Sequence, residues 1–126
     1  MAANTPDRGP VRSPEAELEI HVVKFVGGTN AVTKVYGEGV TVTYVSAGIV
    51  DLVWSSTSAP GECLGAIGYC FEATTAADVK AYALATKTYD ASTRTLRLNM
   101  CESGTLTNLA AVEWLTVSVA FNRTGF

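Results

Sequence analysis

The stretch EWLTVSVAFNR, residues 113–123, carries the cleanest alternation of apolar and polar side chains in the chain. Large apolar residues fall on every second position from Leu115 to Phe121, with Thr116, Ser118 and Ala120 between them. A period of two is typical of a β-strand with one buried face and one exposed face. This stretch therefore predicts a strand packed against a core.

The same period recurs upstream of this strand. It predicts three further strands with these one-sided apolar sets: Val40, Val42 and Tyr44; Val50, Leu52 and Trp54; Leu96, Leu98 and Met100. A four-residue turn from Asp90 to Thr93 precedes the last of these, with Asp and Ser side chains able to bond the local backbone. About seven or eight strands at this spacing predict an all-β fold, an antiparallel β-sandwich or jelly roll.

Other segments are less regular. In LEIHVVKFV, apolar residues alternate from Leu18 to Val22 and then change phase at Val23, so we expect a bulge or bend near Val22. CLGAIGYCFEA, residues 63–73, predicts a glycine-bent strand covered on both faces by a partner that need not belong to the same chain. VKAYALATKTY, residues 79–89, predicts a strand, and SGTLTNLAAV, residues 103–112, a connection with Leu106 and Leu109 tucked beneath it.

These patterns together predict a buried core made of alternating strand residues. Its members are Ile20, Val22, Val42, Leu52, Trp54, Ile67, Leu84, Leu96, Leu98, Leu115, Val117, Val119 and Phe121. A chain of 126 residues has room for one such core. We therefore expect a single β-sandwich domain over residues 18–126.

The first seventeen residues, MAANTPDRGPVRSPEAE, hold three of the four prolines and scarcely any large apolar side chain. Proline fixes φ and biases its predecessor toward extended backbone. Residues 1–17 are therefore predicted to be an extended arm that is disordered in the free protein and becomes ordered on a partner, although a loose terminus explains the composition equally well.

Charge and hydropathy exclude several classes of partner. The formal net charge of −3 has the wrong sign for neutralising nucleic-acid phosphates. No apolar run is long enough to span a bilayer, and the amino terminus lacks the order of a secretory signal. We expect a protein made in the cytoplasm that binds neither nucleic acid nor membrane, and the triplet Asn122-Arg123-Thr124 is not expected to carry a glycan.

Residues with chemical potential are few. His21 is the single histidine, and Cys63, Cys70 and Cys101 lack metal-ligand spacing, so a zinc site is hard to complete and the cysteines are interpreted as reduced structural residues. Glu17 and Glu19 share a strand face without a cleft, and the glycines at 27, 28, 37 and 39 are interpreted as turn residues. We predict no catalytic, cofactor-binding or metal-binding residue and no enzymatic activity. Trp54, Trp114 and the five tyrosines favour packing over a sugar-stacking platform.

Several segments over residues 35–126 carry a resemblance: VTVTYV followed by VWSS, LGAIGYCFEA, YDASTRTLRL, SGTLTNLAA and VSVAFNRT. Together they resemble the small virion proteins of tailed bacteriophages that decorate or cement the capsid exterior. The resemblance implies a location on the capsid surface and the major capsid protein as partner. It also implies a homo-oligomer, with a trimer favoured and a dimer as the alternative. No functional residue is carried over. The alternative function is a receptor- or glycan-binding module of a tail fibre or baseplate.

Overall fold

The computed structural model describes residues 18–56, 61–74 and 82–122, and these residues form nine β-strands and no helix. The strands are β1 Leu18–Gly28, β2 Ala31–Tyr36, β3 Val40–Ser46, β4 Ile49–Trp54, β5 Glu62–Ala73, β6 Tyr82–Thr86, β7 Thr95–Glu102, β8 Thr105–Leu106 and β9 Glu113–Asn122. The all-β prediction is confirmed. The predicted arm, residues 1–17, lies outside the described residues.

The strands form two antiparallel sheets that enclose one core. The four-stranded sheet has the order β2-β1-β9-β5, and the other sheet has the order β3-β4-β7-β6 with the short β8 paired to β7. All of the ladders within the sheets are antiparallel. This is the predicted β-sandwich. Within the four-stranded sheet, β9 lies between β1 and β5.

The interior of the sandwich follows the predicted alternation in β4, β7 and β9. Trp54, Leu98, Val117 and Phe121 are fully buried. Their neighbours in the strands point outward, as the period of two requires. Val42 and Leu84, also predicted as core residues, are partly buried and pack against this cluster. Burial of such side chains supplies most of the free energy that holds the sheets together.

Two residues of β1 that were predicted in the core lie on the outer side of the sheet instead. Ile20 and Val22 are exposed, whereas Val23 and Phe25 are fully buried. The predicted bulge near Val22 is also wrong, because β1 pairs with β9 without interruption from Leu18 to Val26. Since both faces of β1 carry aliphatic side chains, alternation alone could not decide which face is buried. The register shift beside β1 lies in its ladder with β2, where Val35 of β2 is the extra residue between the partners of Lys24 and Phe25.

Strand β5 differs from its prediction at Ile67, which is exposed and not part of the core. The ladder with β9 is irregular twice, between Cys63 and Gly65 and between Ala66 and Gly68. Each irregularity inserts one extra residue, Leu64 or Ile67, into the edge strand. The glycine-bent strand was predicted correctly, but in the described chain its outer face is not covered.

The prediction for the connection before β9 was half right. Leu109 is buried, but Leu106 is exposed and pairs with Cys101 as part of β8. Gly27, predicted in a turn, is a buried strand residue. A Cβ at this position would overlap the backbone of Leu109, so the position requires glycine. The turn that follows β1 is Thr29–Asn30, with Asn30 at a φ of 50°.

The hairpin turn before β7 has the predicted chemistry. The Oδ1 atom of Asp90 accepts hydrogen bonds from the backbone N–H of Ser92 at 3.0 Å and from the Ser92 hydroxyl at 2.6 Å. These hydrogen bonds hold the pKa of Asp90 below its usual value. Arg94 closes the turn at a positive φ of 56°.

A polar contact joins the two sheets inside the sandwich. The Tyr82 hydroxyl of β6 donates a hydrogen bond of 2.8 Å to Oε1 of Glu113 in β9, and the backbone N–H of Ala110 donates to the same oxygen. Both side chains are buried. Burial and the neighbouring Glu113 carboxylate raise the pKa of Tyr82. This pair anchors the loop before β9 to the opposite sheet.

Candidate functional site

The outer side of the four-stranded sheet carries an exposed apolar surface. On β1 its residues are Leu18, Ile20 and Val22, which are 46%, 43% and 39% exposed. The adjacent outward positions of β9 are occupied by Ser118 and Ala120, which pair with Val22 and Ile20. An aliphatic row therefore runs beside a row of small side chains.

Strand β5 completes this surface on the other side of β9. Gly65 pairs with Ala120 and Gly68 with Ser118, and a Cβ at either glycine would meet nothing within 4 Å. The bulge residues Leu64 and Ile67 are 56% and 61% exposed along the β5 edge. We call the whole surface the apolar face; it consists of Leu18, Ile20, Val22, Leu64, Gly65, Ile67, Gly68, Ser118 and Ala120.

The relief of the apolar face follows from these residue sizes. The β1 side chains form a ridge, whereas Gly65 and Gly68 carry no side chain and leave a trough on the β5 side. Ala120 of β9 is only 2% exposed, so neighbouring atoms already cover it. A face with an aliphatic ridge and an open trough offers surface that another protein can cover. Solvent-facing positions of an antiparallel sheet are ordinarily polar, so this composition is not explained by the fold.

Charge is confined to the ends of the apolar face. Lys24 and Glu72 lie on either side of β9, and their Nζ and Oε2 atoms are 3.2 Å apart. At the opposite end, Glu62 pairs with Asn122 in the ladder and is exposed. The centre of the face is therefore uncharged.

The edge beside the apolar face is poorly shaped for adding another strand. An edge strand with regular unpaired backbone groups can recruit a strand from another chain. The bulges at Leu64 and Ile67 interrupt the regular spacing of β5. Contact with a partner is therefore favoured at the face of the sheet over its edge.

A second candidate surface lies on the outer side of the other sheet. Nε and Nη2 of Arg97 donate hydrogen bonds of 2.8 Å and 3.0 Å to the two carboxylate oxygens of Asp51. The Asp51 carboxylate raises the pKa of Arg97. The pair borders an open cleft of about 580 Å³ that Lys87, Tyr89 and Asp90 also line. Its donors and acceptors suit a polar ligand.

His21 lies inside the sandwich and supports the core. Its Nδ1 accepts a hydrogen bond of 3.0 Å from Nε1 of Trp54, and its Nε2 lies 3.3 Å from a Glu19 oxygen. The imidazole also makes an edge contact with Phe121 at a centroid distance of 5.3 Å. A fully buried indole N–H needs an acceptor, so His21 has a structural reason to face inward. Glu17, paired with Glu19 in the sequence interpretation, lies outside the described residues.

The three cysteines are free and lie in strands, as predicted. Cys63 packs against the core, and burial raises the pKa of its thiol. Cys70 is exposed on the outer side of β5, opposite Thr116. The 18–56, 61–74 and 82–122 ranges contain no group of three or more His, Cys, Asp or Glu side chains placed to hold a metal ion.

The aromatic residues do not form one platform. Trp54 is fully buried between the sheets, whereas Trp114 is half-buried on the outer side of β9. Tyr89 packs with its ring against Trp54 and Phe121, at centroid distances of 6.1 Å and 5.5 Å. Trp54 is therefore unavailable for stacking on a sugar.

The sequence interpretation assigned Ile20, Val22 and Ile67 to the core and so missed the β1 part of the apolar face, although it expected a partner to cover the outer side of residues 63–73. A signal was present, because β1 and β5 carry apolar residues at both even and odd positions. Only one of those sets can point into a sandwich.

No helix in the described part of the chain has the length and hydropathy needed to cross a membrane. The comparisons with known proteins are negative: no family model matches the chain, and no match was found among curated proteins or solved structures.

Proposed function

We propose that this protein is a structural virion protein that binds the outside of a phage capsid and stabilises the shell, with the major capsid protein as its partner. The observation that carries the proposal is the apolar face, because an exposed apolar surface on a folded sandwich suits contact between protein subunits, as in an oligomer that decorates a shell. The resemblance of residues 35–126 to capsid decoration proteins points the same way. In this proposal the protein acts without chemistry, as a homo-oligomer on the capsid surface.

The mechanism is stabilisation by binding. A protein that binds the assembled shell but not its separated subunits shifts the equilibrium toward the shell. The sandwich is built before it binds, so little ordering entropy is lost in the body of the domain. Many copies on one particle, each linked to neighbours, multiply a modest affinity.

Residues 1–17 have a separate role in the proposal, as a tether to a neighbouring subunit. Seventeen extended residues reach up to about 55 Å at ~3.3 Å per residue. Deleting residues 1–16 should leave the circular dichroism spectrum unchanged and weaken retention on the particle. Trypsin cleavage after Arg8 or Arg12 should be suppressed by binding to the shell. If the truncated protein stays on capsids as tightly as the full chain, the tether is wrong.

The function is tested by counting copies in purified virions of the phage that encodes the chain. Densitometry of stained gels should give hundreds of copies per particle, and particles lacking the protein should release DNA at a lower temperature. Absence from the particle would overturn the proposal. A handful of copies would instead support a tail component.

The alternative, a receptor- or glycan-binding module, is favoured by one observation, the cleft beside Asp51 and Arg97. Its volume of about 580 Å³ lies in the range of small-ligand sites, roughly 300–1,000 Å³. A glycan array probed with the wild type and with Asp51→Ala tests this alternative. Binding that Asp51→Ala abolishes would support it, and no binding to any glycan would count against it.

A further inference from the structure

We propose that the apolar face binds a second copy of this chain, in a face-to-face dimer whose two-fold axis runs parallel to β9. The inference rests on the proposed function and deepens it: it assigns the apolar face to contact between two copies, so that capsid contact falls to other surfaces of the dimer. Its test uses the purified protein without a capsid, so self-association and capsid binding can fail independently.

The relief of the face is self-complementary about this axis. The ridge of Leu18, Ile20 and Val22 lies on one side of β9, and the trough at Gly65 and Gly68 lies on the other. A two-fold axis along β9 exchanges the two sides, so the ridge of each copy lies over the trough of the other. Side chains of two packed sheets interdigitate in this way, with strands nearly aligned.

The small residues of β9 permit the close approach that this packing requires. Ser118 lies on the line of the axis, where it would face its own counterpart, and the buried Ala120 beside it does not protrude. No large side chain on this part of β9 holds the two sheets apart.

Charge is complementary under the same operation. Lys24 lies on the β1 side of β9, and Glu72 lies on the β5 side near the same end. Exchange of the two sides brings Lys24 of each copy toward Glu72 of the other. The axis therefore extends the existing ion pair of 3.2 Å across the interface, whereas other rotations about the face do not.

The available area fits a weak dimer. Nine paired residues run from Leu18 to Val26 on β1, and β9 and β5 lie beside them. Three strands spaced ~4.8 Å apart and nine residues at ~3.3 Å give a planar area of roughly 430 Å². Two copies would thus bury about 860 Å², the size of weak and transient interfaces. A two-fold pair would leave the cleft beside Asp51 free, and a dimer is the alternative to the trimer that the sequence resemblance implied.

The test compares two valines of equal exposure. Val22 on the apolar face and Val45 on β3 of the other sheet are both 39% exposed. Sedimentation velocity and light scattering should give the wild type twice the 13.2 kDa mass of the chain at about 100 µM. Val22→Asp should weaken dimerisation by at least about 100-fold, because it buries an unpaired charge. Val45→Asp should remain a dimer.

Two further variants separate the interface from folding. Gly68→Arg puts a large side chain where a Cβ would meet no atom of the described residues within 4 Å, so it should keep the wild-type circular dichroism spectrum and become monomeric. Lys24→Glu should weaken the dimer, and adding Glu72→Lys should restore it.

The proposal is overturned by a wild type that is monomeric at 100 µM, by a trimer, or by equal effects of Val22→Asp and Val45→Asp. It is also overturned if deleting residues 1–17 converts a monomeric full chain into a dimer, since that segment would then be the occupant of the face.

Discussion

The two sheets of the sandwich bury similar side chains inward and present different chemistry outward. On the outer side of the five-stranded sheet, Asp51 and Arg97 pair across β4 and β7. The corresponding outward positions of β1 carry Leu18, Ile20 and Val22. Folding needs apolar residues inside a sandwich and does not need them outside. The difference identifies the outer side of the four-stranded sheet as a surface suited to contact with another protein.

The comparison also separates two uses of aliphatic residues within one strand. Phe25 of β1 points into the core, whereas Ile20 of the same strand points outward. Their hydropathy is similar, but only the first contributes to the stability of the monomer. Truncating a buried residue should therefore lower the free energy of unfolding far more than truncating Ile20.

Truncation of Phe121 and of Ile20 should have very different costs. Phe121 is fully buried, and Ile20 pairs with its neighbour Ala120. Phe121→Ala should lower the free energy of unfolding by about 3 to 5 kcal/mol because it leaves a cavity, and Ile20→Ala by less than about 1 kcal/mol. Urea denaturation on a Val22→Asp background removes any contribution from self-association. Equal losses would mean that the apolar face belongs to the core.

The contact between the sheets should have the next largest effect. Tyr82→Phe removes the hydroxyl that donates to Glu113 and should lower stability by about 1 to 3 kcal/mol. Since the pKa of Tyr82 is raised above its usual 10.0, its contribution is present below that pH and lost as pH rises further. Urea titrations from pH 8 to 11 should therefore show a smaller alkaline loss in Tyr82→Phe. An identical loss in both proteins would assign the alkaline effect to another group.

The ion pair on the polar side should contribute less than either interior group. Arg97→Gln removes the bidentate contact with Asp51 and should lower the melting temperature by a smaller amount than Tyr82→Phe. The difference in melting temperature between the wild type and Arg97→Gln should shrink in 1 M NaCl because salt screens charges near the surface. Asp51→Asn serves as the matched variant, and the double variant should show less than the sum of the two losses. A strictly additive double variant would argue against coupling.

The smallest effect concerns thiol reactivity, which leaves the fold intact. Iodoacetamide should modify Cys70 faster than Cys63, because Cys70 is exposed and burial raises the pKa of the Cys63 thiol. Peptide mass spectrometry over time measures both rates. Labelling of Cys70 should slow as protein concentration rises, since it lies beside the apolar face. A rate independent of concentration would contradict coverage of this end of the face.

Sequence reasoning did well where one face of a strand is apolar and the other polar. In β7, Leu96 and Leu98 could point only inward, with Arg97 on the outer side. The Asp90 turn was equally readable, because its side-chain hydrogen bonds are local. It failed for Ile20 and Ile67, where apolar residues occupy both faces and the choice depends on distant strands. The β1 part of the apolar face was missed for that reason.

Local periodicity and turn chemistry, which a linear pattern contains, were enough to predict short strands around one apolar interior and the residues of β4, β7 and β9 that fill it. The orientation of β1 depends instead on contacts between distant strands. Pairing with β9, and the need of the buried Trp54 for the acceptor on His21, turn Val23 and Phe25 inward. The bulges of β5 depend on its long-range register with β9. The apolar face is a product of those non-local contacts, since a residue is exposed or buried only relative to the strands that pack beside it.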